Sequence, residues 1–309
     1  MPSIFVCGKA MTRNRRLLGL AAIAALGTAA ALRPGALPIA RQSSQIPQRS
    51  VRGVYWASAL LALAALADSG IEHYRGSFHN KAMYVPLGVS AVTLAASIRD
   101  ATGACAGPRQ GATMVDNVAM ATGAVGTGFH LYNIAKRPGG FSWLNLFYAA
   151  PIGAPAALSL AGLLRKTAGA LRNGTLGLRR LGRVLASLIS AGLLGTSAEA
   201  GLLHFRGAYH NPAMVIPVTA PPLAASLLAR AALTASRENQ AARWLLRSIA
   251  CIGVLGSAFH VYGVQRNMGG WRNLSQNLLN GPPLPAPSAF TALAVAGLVA
   301  LNLIEERNP

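Results

Sequence analysis

The chain states one segment twice. His73 to Pro86 reads HYRGSFHNKAMYVP, and His204 to Pro217 reads HFRGAYHNPAMVIP. Eight of the fourteen positions are identical, and four others are the close exchanges Tyr/Phe, Ser/Ala, Phe/Tyr and Val/Ile. A second pair follows at nearly the same offset: GAVGTGFHLY, Gly123 to Tyr132, and GVLGSAFHVY, Gly253 to Tyr262. Copies of this kind predict one structural unit built twice. All six histidines lie in the copied segments, as the pairs His73/His204, His79/His210 and His130/His260. The two copies show which positions both halves kept through otherwise diverged sequence.

The solvent for this unit is read from composition. The chain is 52% hydrophobic and 12% charged, whereas a soluble domain carries about 25% charge. Runs of mostly apolar residues recur at the length of about 20 that a hydrocarbon layer of about 30 Å requires. Eight spans are predicted, at 54–73, 82–98, 113–135, 143–164, 183–204, 213–230, 245–264 and 285–304. A shorter run at 17–32 follows Arg13, Arg15 and Arg16, and reads as a signal-peptide core, an anchor or a ninth span. The expected organisation is a basic and hydrophobic N-terminal segment with linker (1–52), a first four-helix repeat (53–166), a basic linker (167–182) and a second four-helix repeat (183–309). The fold class is therefore an all-α integral membrane protein of two tandem four-helix transmembrane repeats. An even number of spans per repeat keeps both copies parallel, so their pseudo-twofold axis lies along the membrane normal.

Charge orients the unit. Of the 28 Lys and Arg residues, four precede Arg33. Seven fall on the side of the histidines: Arg75, Lys81, Lys136, Arg137, Arg206, Arg266 and Arg272. The remaining 17 fall on the other side. The positive-inside rule makes that richer side cytoplasmic and the histidine face outward, periplasmic in a bacterial-type inner membrane. A spanning or cleaved segment at 17–32 would invert this order, and the charge count is given the greater weight. The net charge of +20 is spread through loops. No nucleic-acid-binding module accompanies it, so nucleic acid is excluded as a partner and the lipid bilayer is retained.

Polar groups at membrane depth are costly and mark function by default. Two histidines from neighbouring helices suit bis-imidazole ligation of haem b. His73 with His130, and His204 with His260, supply one such pair per repeat. On a helix, i−4 and i−7 share a face with i. For His130 these are Gly126 and Gly123, and for His260 they are Gly256 and Gly253. Gly70 and Gly201 precede His73 and His204. Such small faces would let a flat macrocycle approach the backbone, although helix packing uses the same stripe. Arg75 and Arg206 are placed to pair with propionates. Asp68 and Glu199, a matched acidic pair, lie about one turn below the histidines. They are candidates to carry protons or to hydrogen-bond a ligand imidazole. The expected function is a di-haem, cytochrome b-like electron carrier or anchor subunit. It would link an external dehydrogenase or other redox subunit to the quinone pool.

Two alternatives stand beside it. One is a non-haem iron, copper or zinc site, drawing on all six histidines, with Met83 and Met214 at i+4 from His79 and His210. The other is a transporter, since tandem repeats also build transporters. Cys7, Cys105 and Cys251 form no disulfide framework and read as packing residues. Neither a phosphate-binding GxxxxGK[ST] loop nor a GxSxG nucleophile elbow is present.

Overall fold

The computed structural model describes residues 48–103, 112–174, 177–234 and 239–306. The run at 17–32, Cys7 and Cys105 lie outside the described residues. The described residues form helices and no strand. The first half contains α1 (Gln48–Arg75), α2 (Val85–Thr102), α3 (Ala112–Ala135), a short α4 (Trp143–Phe147) and α5 (Gly153–Arg172). The second half repeats the order with α6 (Leu178–Arg206), α7 (Ile216–Thr234), α8 (Gln240–Arg266), a short α9 (Leu274–Asn280) and α10 (Ala286–Glu305). A 3-10 turn precedes α2 at Lys81–Tyr84, α7 at Pro212–Val215 and α9 at Gly270–Asn273.

Six helices are long and apolar enough to cross a membrane: α1, α2 with its 3-10 turn, α6, α7 with its turn, α8 and α10. The other two long helices, α3 and α5, fall short of that measure. Asp116, Asn117 and Asn133 dilute α3, and Arg165, Lys166 and Arg172 dilute α5.

In the first half α1 packs on α2 and α5, and α3 packs on α5. In the second half α6 packs on α7 and α10, and α8 packs on α10. The halves meet where α10 lies against α1 and α5 against α6. One core runs through this junction, with Val54, Leu61, Leu164, Ile189, Leu193 and Leu301 all fully buried. Alanine and glycine between these residues bring the backbones close, which is how helices associate where water does not drive them together. The outer helices α2, α3, α7 and α8 turn large apolar side chains outward, among them Val125, Phe129, Leu223, Leu233, Val254 and Phe259. An apolar outer surface of this extent is unusual on a soluble monomer and suits contact with lipid.

Three sequence expectations change. The span expected at 143–164 is broken, because Pro151 and the loop around it separate α4 from α5. The repeated proline pairs Pro86/Pro217, Pro151/Pro283 and Pro155/Pro287 suggest from sequence bent second and fourth spans, but they lie before or within the first turns of helices. Pro86 and Pro217 sit at the heads of α2 and α7, and Pro155 and Pro287 in the first turns of α5 and α10, where a missing N–H costs nothing. The charged stretch from Arg165 does not end a helix, since α5 continues to Arg172.

Candidate functional site

The histidine loop is built the same way in both halves. After α1 ends at Arg75, Ser77 and Phe78 take φ of 55° and 46°; after α6, Ala208 and Tyr209 take 54° and 46°. Two successive side-chain-bearing residues in the left-handed region are uncommon, and such strain persists only where surrounding contacts over-determine it. The contacts are visible. The Phe78 amide donates to the His73 carbonyl at 3.0 Å, and the Tyr209 amide to the His204 carbonyl at 3.1 Å. Asn80 and Asn211 cap the following 3-10 turns, each accepting from an amide two residues on at 2.9 Å.

Every histidine ring is anchored through Nδ1 to a backbone carbonyl. His73 donates to Met83 O at 2.6 Å, and His204 to Met214 O at 2.8 Å. His130 donates to Pro151 O and His260 to Pro283 O, both at 2.6 Å. His79 and His210 donate to the carbonyls of Gly76 and Gly207, both at 3.0 Å. A carbonyl only accepts, so the proton sits on Nδ1 and the neutral ring keeps its lone pair on Nε2. This is the arrangement of a metal-ligating imidazole whose second nitrogen is held by an outer partner. Edge-on aromatic rings fix two of the imidazoles further: Phe78 at 6.2 Å from His73 and Tyr209 at 6.1 Å from His204, both at 80°.

The histidines do not all converge. His130 lies within electrostatic reach of His73, and His260 within reach of His204. These four are half-buried, whereas His79 and His210 are exposed in their loops. Among the described residues no three His, Cys, Asp or Glu side chains gather closely enough to hold a metal ion. Three imidazoles per half, as the six-histidine metal set would need, are thus not brought together; the loop conformation turns His79 and His210 back onto Gly76 and Gly207.

The glycines divide. A Cβ on Gly126 would lie 3.0 Å from the Pro155 ring, and one on Gly256 would lie 2.9 Å from the Pro287 ring. Gly123 and Gly253 abut the backbones of α5 and α10. This stripe therefore seats one helix on another and leaves no open face for a macrocycle. Gly70 differs, because a Cβ there would meet nothing within 4 Å.

The charged residues tie the halves together. Arg75 pairs with Glu72 and also donates to Leu278 O, across the junction, at 3.1 Å. Arg206 makes the reciprocal reach, donating to Ala149 O at 3.3 Å and lying 5.3 Å over the Phe147 ring. Both guanidiniums are thus engaged, not left free for an external carboxylate. Glu199 accepts the Gly153 amide at the head of α5 at 3.0 Å, a favourable place for a carboxylate beside the positive end of a helix. Gly153 is required there, since a Cβ would collide with the Glu199 carboxylate. Asp68 lies within electrostatic reach of Glu72, Arg75 and Glu199.

Sequence reasoning missed one buried cluster. Arg165, 1% exposed, donates to Asp116 at 2.7 Å, to Asp100 at 2.9 Å and to Ser97 at 3.3 Å. Its guanidinium also lies 5.6 Å over the Tyr55 ring. The signal available was an arginine at the end of the apolar run ALSLAGLLR, with an acidic residue near the loop-side end of two neighbouring spans. Cys251, expected as packing, is exposed.

No protein-family model matches this chain, and no curated protein or solved structure matches it either.

Proposed function

We propose that this protein is a multi-pass membrane redox carrier holding two haem b groups, one in each of two parallel four-helix repeats. His73 and His130 would ligate one and His204 and His260 the other. The observation that carries the reading is the duplicated pair of half-buried imidazoles in mutual electrostatic reach, each with Nδ1 tied to a carbonyl. Two imidazoles alone fall short of the three or four protein donors that zinc and non-haem iron sites use. They suffice for haem, which brings four equatorial nitrogens of its own. The pairs fit haem by donor type and number, while the helix-packing glycines do not contribute a seat for it. Bound haem would supply one-electron chemistry. The chain's own share is to fix the ring tautomers and hold the ligand rings in place.

Six spanning-length helices, the apolar outer faces and the uneven Lys and Arg distribution support placement in a bacterial-type inner membrane, with the histidines outward. At that end the centres would receive electrons from an external dehydrogenase or other redox subunit and exchange them with the quinone pool. The test is a reduced-minus-oxidised spectrum of detergent-purified protein and of His130→Ala and His260→Ala. The expected result is Soret and alpha bands of b type in the native protein, with about half the haem lost in each variant. A colourless native protein after expression with ample haem, or variants that keep full haem content, would overturn it.

A further inference from the structure

The two crossings between the halves are not sealed alike. Where α6 meets α4, Trp143 and Phe147 close on Phe205 at 5.8 and 5.9 Å, and the Tyr209 hydroxyl donates to Gly201 O at 3.2 Å. At the matching crossing, α1 against α9, those features are absent from the sequence. Phe78 stands where Tyr209 does and has no hydroxyl to reach back with. Its ring stacks instead on Tyr84 at 4.4 Å and 9°, and Tyr84 is replaced by Val215 in the second half. The short helix α9, matched to α4 through Asn277 and Asn145, brings Ser275 and Leu279 in place of Trp143 and Phe147. The result is an open groove of about 480 Å³, lined by Gly70, Ile71, Tyr74, Phe78, Ser275 and Leu278 among others.

We propose that this groove binds a prenylated quinone, a step that rests on the redox reading above and names its membrane-soluble partner. Its volume falls in the range of small-molecule sites, about 300–1,000 Å³. No charged side chain lines it, which disfavours a phosphate or ammonium headgroup. The aromatic sides of Tyr74 and Phe78 suit a flat conjugated ring. Tyr74 and Ser275, the hydroxyl-bearing residues of the lining, would supply donors for quinone carbonyls, and its otherwise apolar surface suits an isoprenoid tail. A lipid acyl chain has neither a ring for the aromatics nor an acceptor for the hydroxyls. The groove also adjoins the haem-ligand candidate His73 directly, since Phe78 contacts both. Gly70 is the residue that keeps it open, because its missing Cβ faces empty space, whereas a Cβ on the matching Gly201 would meet Val218 at 3.4 Å.

The full chain, in nanodiscs of phosphatidylcholine alone, is titrated with a decyl-tailed benzoquinone, and bound quinone and haem are measured on the same samples. Saturable binding near one quinone per chain is expected, weakened about tenfold or more by Gly70→Leu and by Ser275→Phe, a loss of about 1.4 kcal/mol or more. Two variants on opposite walls keep the test decisive if one fails to fold, as judged by gel filtration and circular dichroism. Quinone binding equal in the native protein and both folded variants would overturn the groove assignment. So would a groove that retains phospholipid and admits no quinone. Normal quinone binding on a haem-free chain would instead overturn only the redox centres.

Discussion

At the scale of single residues, the chemistry rests on which ring nitrogen carries the proton. Histidine spacing was legible in the sequence, and the structure leaves His130 within electrostatic reach of His73 and His260 within reach of His204. The carbonyls that fix the tautomers were not legible, because Pro151 and Pro283 lie more than twenty residues from the rings they orient and no local pattern announces such a contact. The left-handed residues were equally hidden, since Ser77 and Phe78 have no glycine signature. They make a direct prediction. A non-glycine residue in that region costs roughly 1–2 kcal/mol, so Ser77→Gly and Ala208→Gly should each raise stability by about 1 kcal/mol, measured as thermal unfolding in detergent. A fall in stability in both would show that the loop is not strained at these positions.

At the scale of helices, the two halves solve one packing problem in two ways. The buried cluster of Tyr55, Ser97, Asp100, Asp116 and Arg165 in the first half occupies the positions of Ala186, Leu228, Ala231, Leu246 and Gly297 in the second, counting along the matched segments. There Leu246 fills the space that Gly297 leaves, 3.1 Å from where a Cβ would stand. Removing one member of a buried ion cluster strands the others and costs about 3–5 kcal/mol, whereas apolar replacement of the whole is often neutral. Arg165→Ala should therefore lower the unfolding temperature sharply. The combined change Ser97→Leu, Asp100→Ala, Asp116→Leu, Arg165→Gly should recover most of the loss. If the combined variant is no better than the single one, the charges do more than fill space.

Glycines give the complementary prediction at the same scale. Gly126→Ala and Gly256→Ala should destabilise by about 1–3 kcal/mol by wedging α3 from α5 and α8 from α10. Gly88→Ala, where a Cβ meets nothing, should be neutral or stabilising by up to about 1 kcal/mol. The sequence showed the stripe but not its partner: a helical glycine beside a histidine looks the same whether it faces a proline ring or a cofactor.

At the scale of the whole molecule, the order of the helices was legible from apolar run length, but of the eight expected spans only six are long and apolar enough to cross a membrane. The way the halves clasp each other was not legible, because it depends on irregular segments. Glu199 of α6 caps α5, Arg206 reaches Ala149, and Arg75 reaches Leu278. Together with the α1–α10 contact, these bonds join the halves independently of the chain that links them. Each half also buries its own helix contacts, and helices in lipid can fold before they associate. Cutting the chain in the linker between Gly174 and Gly177 should thus leave two fragments that co-purify from the same membrane when expressed together. Adding Glu199→Ala and Arg206→Ala to the cut protein removes two of the clasping contacts at the histidine end, worth about 1–3 kcal/mol together, and should release a measurable share of free fragments. Fragments that never co-purify would mean that the linker holds the halves together. Fragments unaffected by the two substitutions would mean that the α1–α10 and α5–α6 packing suffices, and that Glu199 is kept for its charge alone.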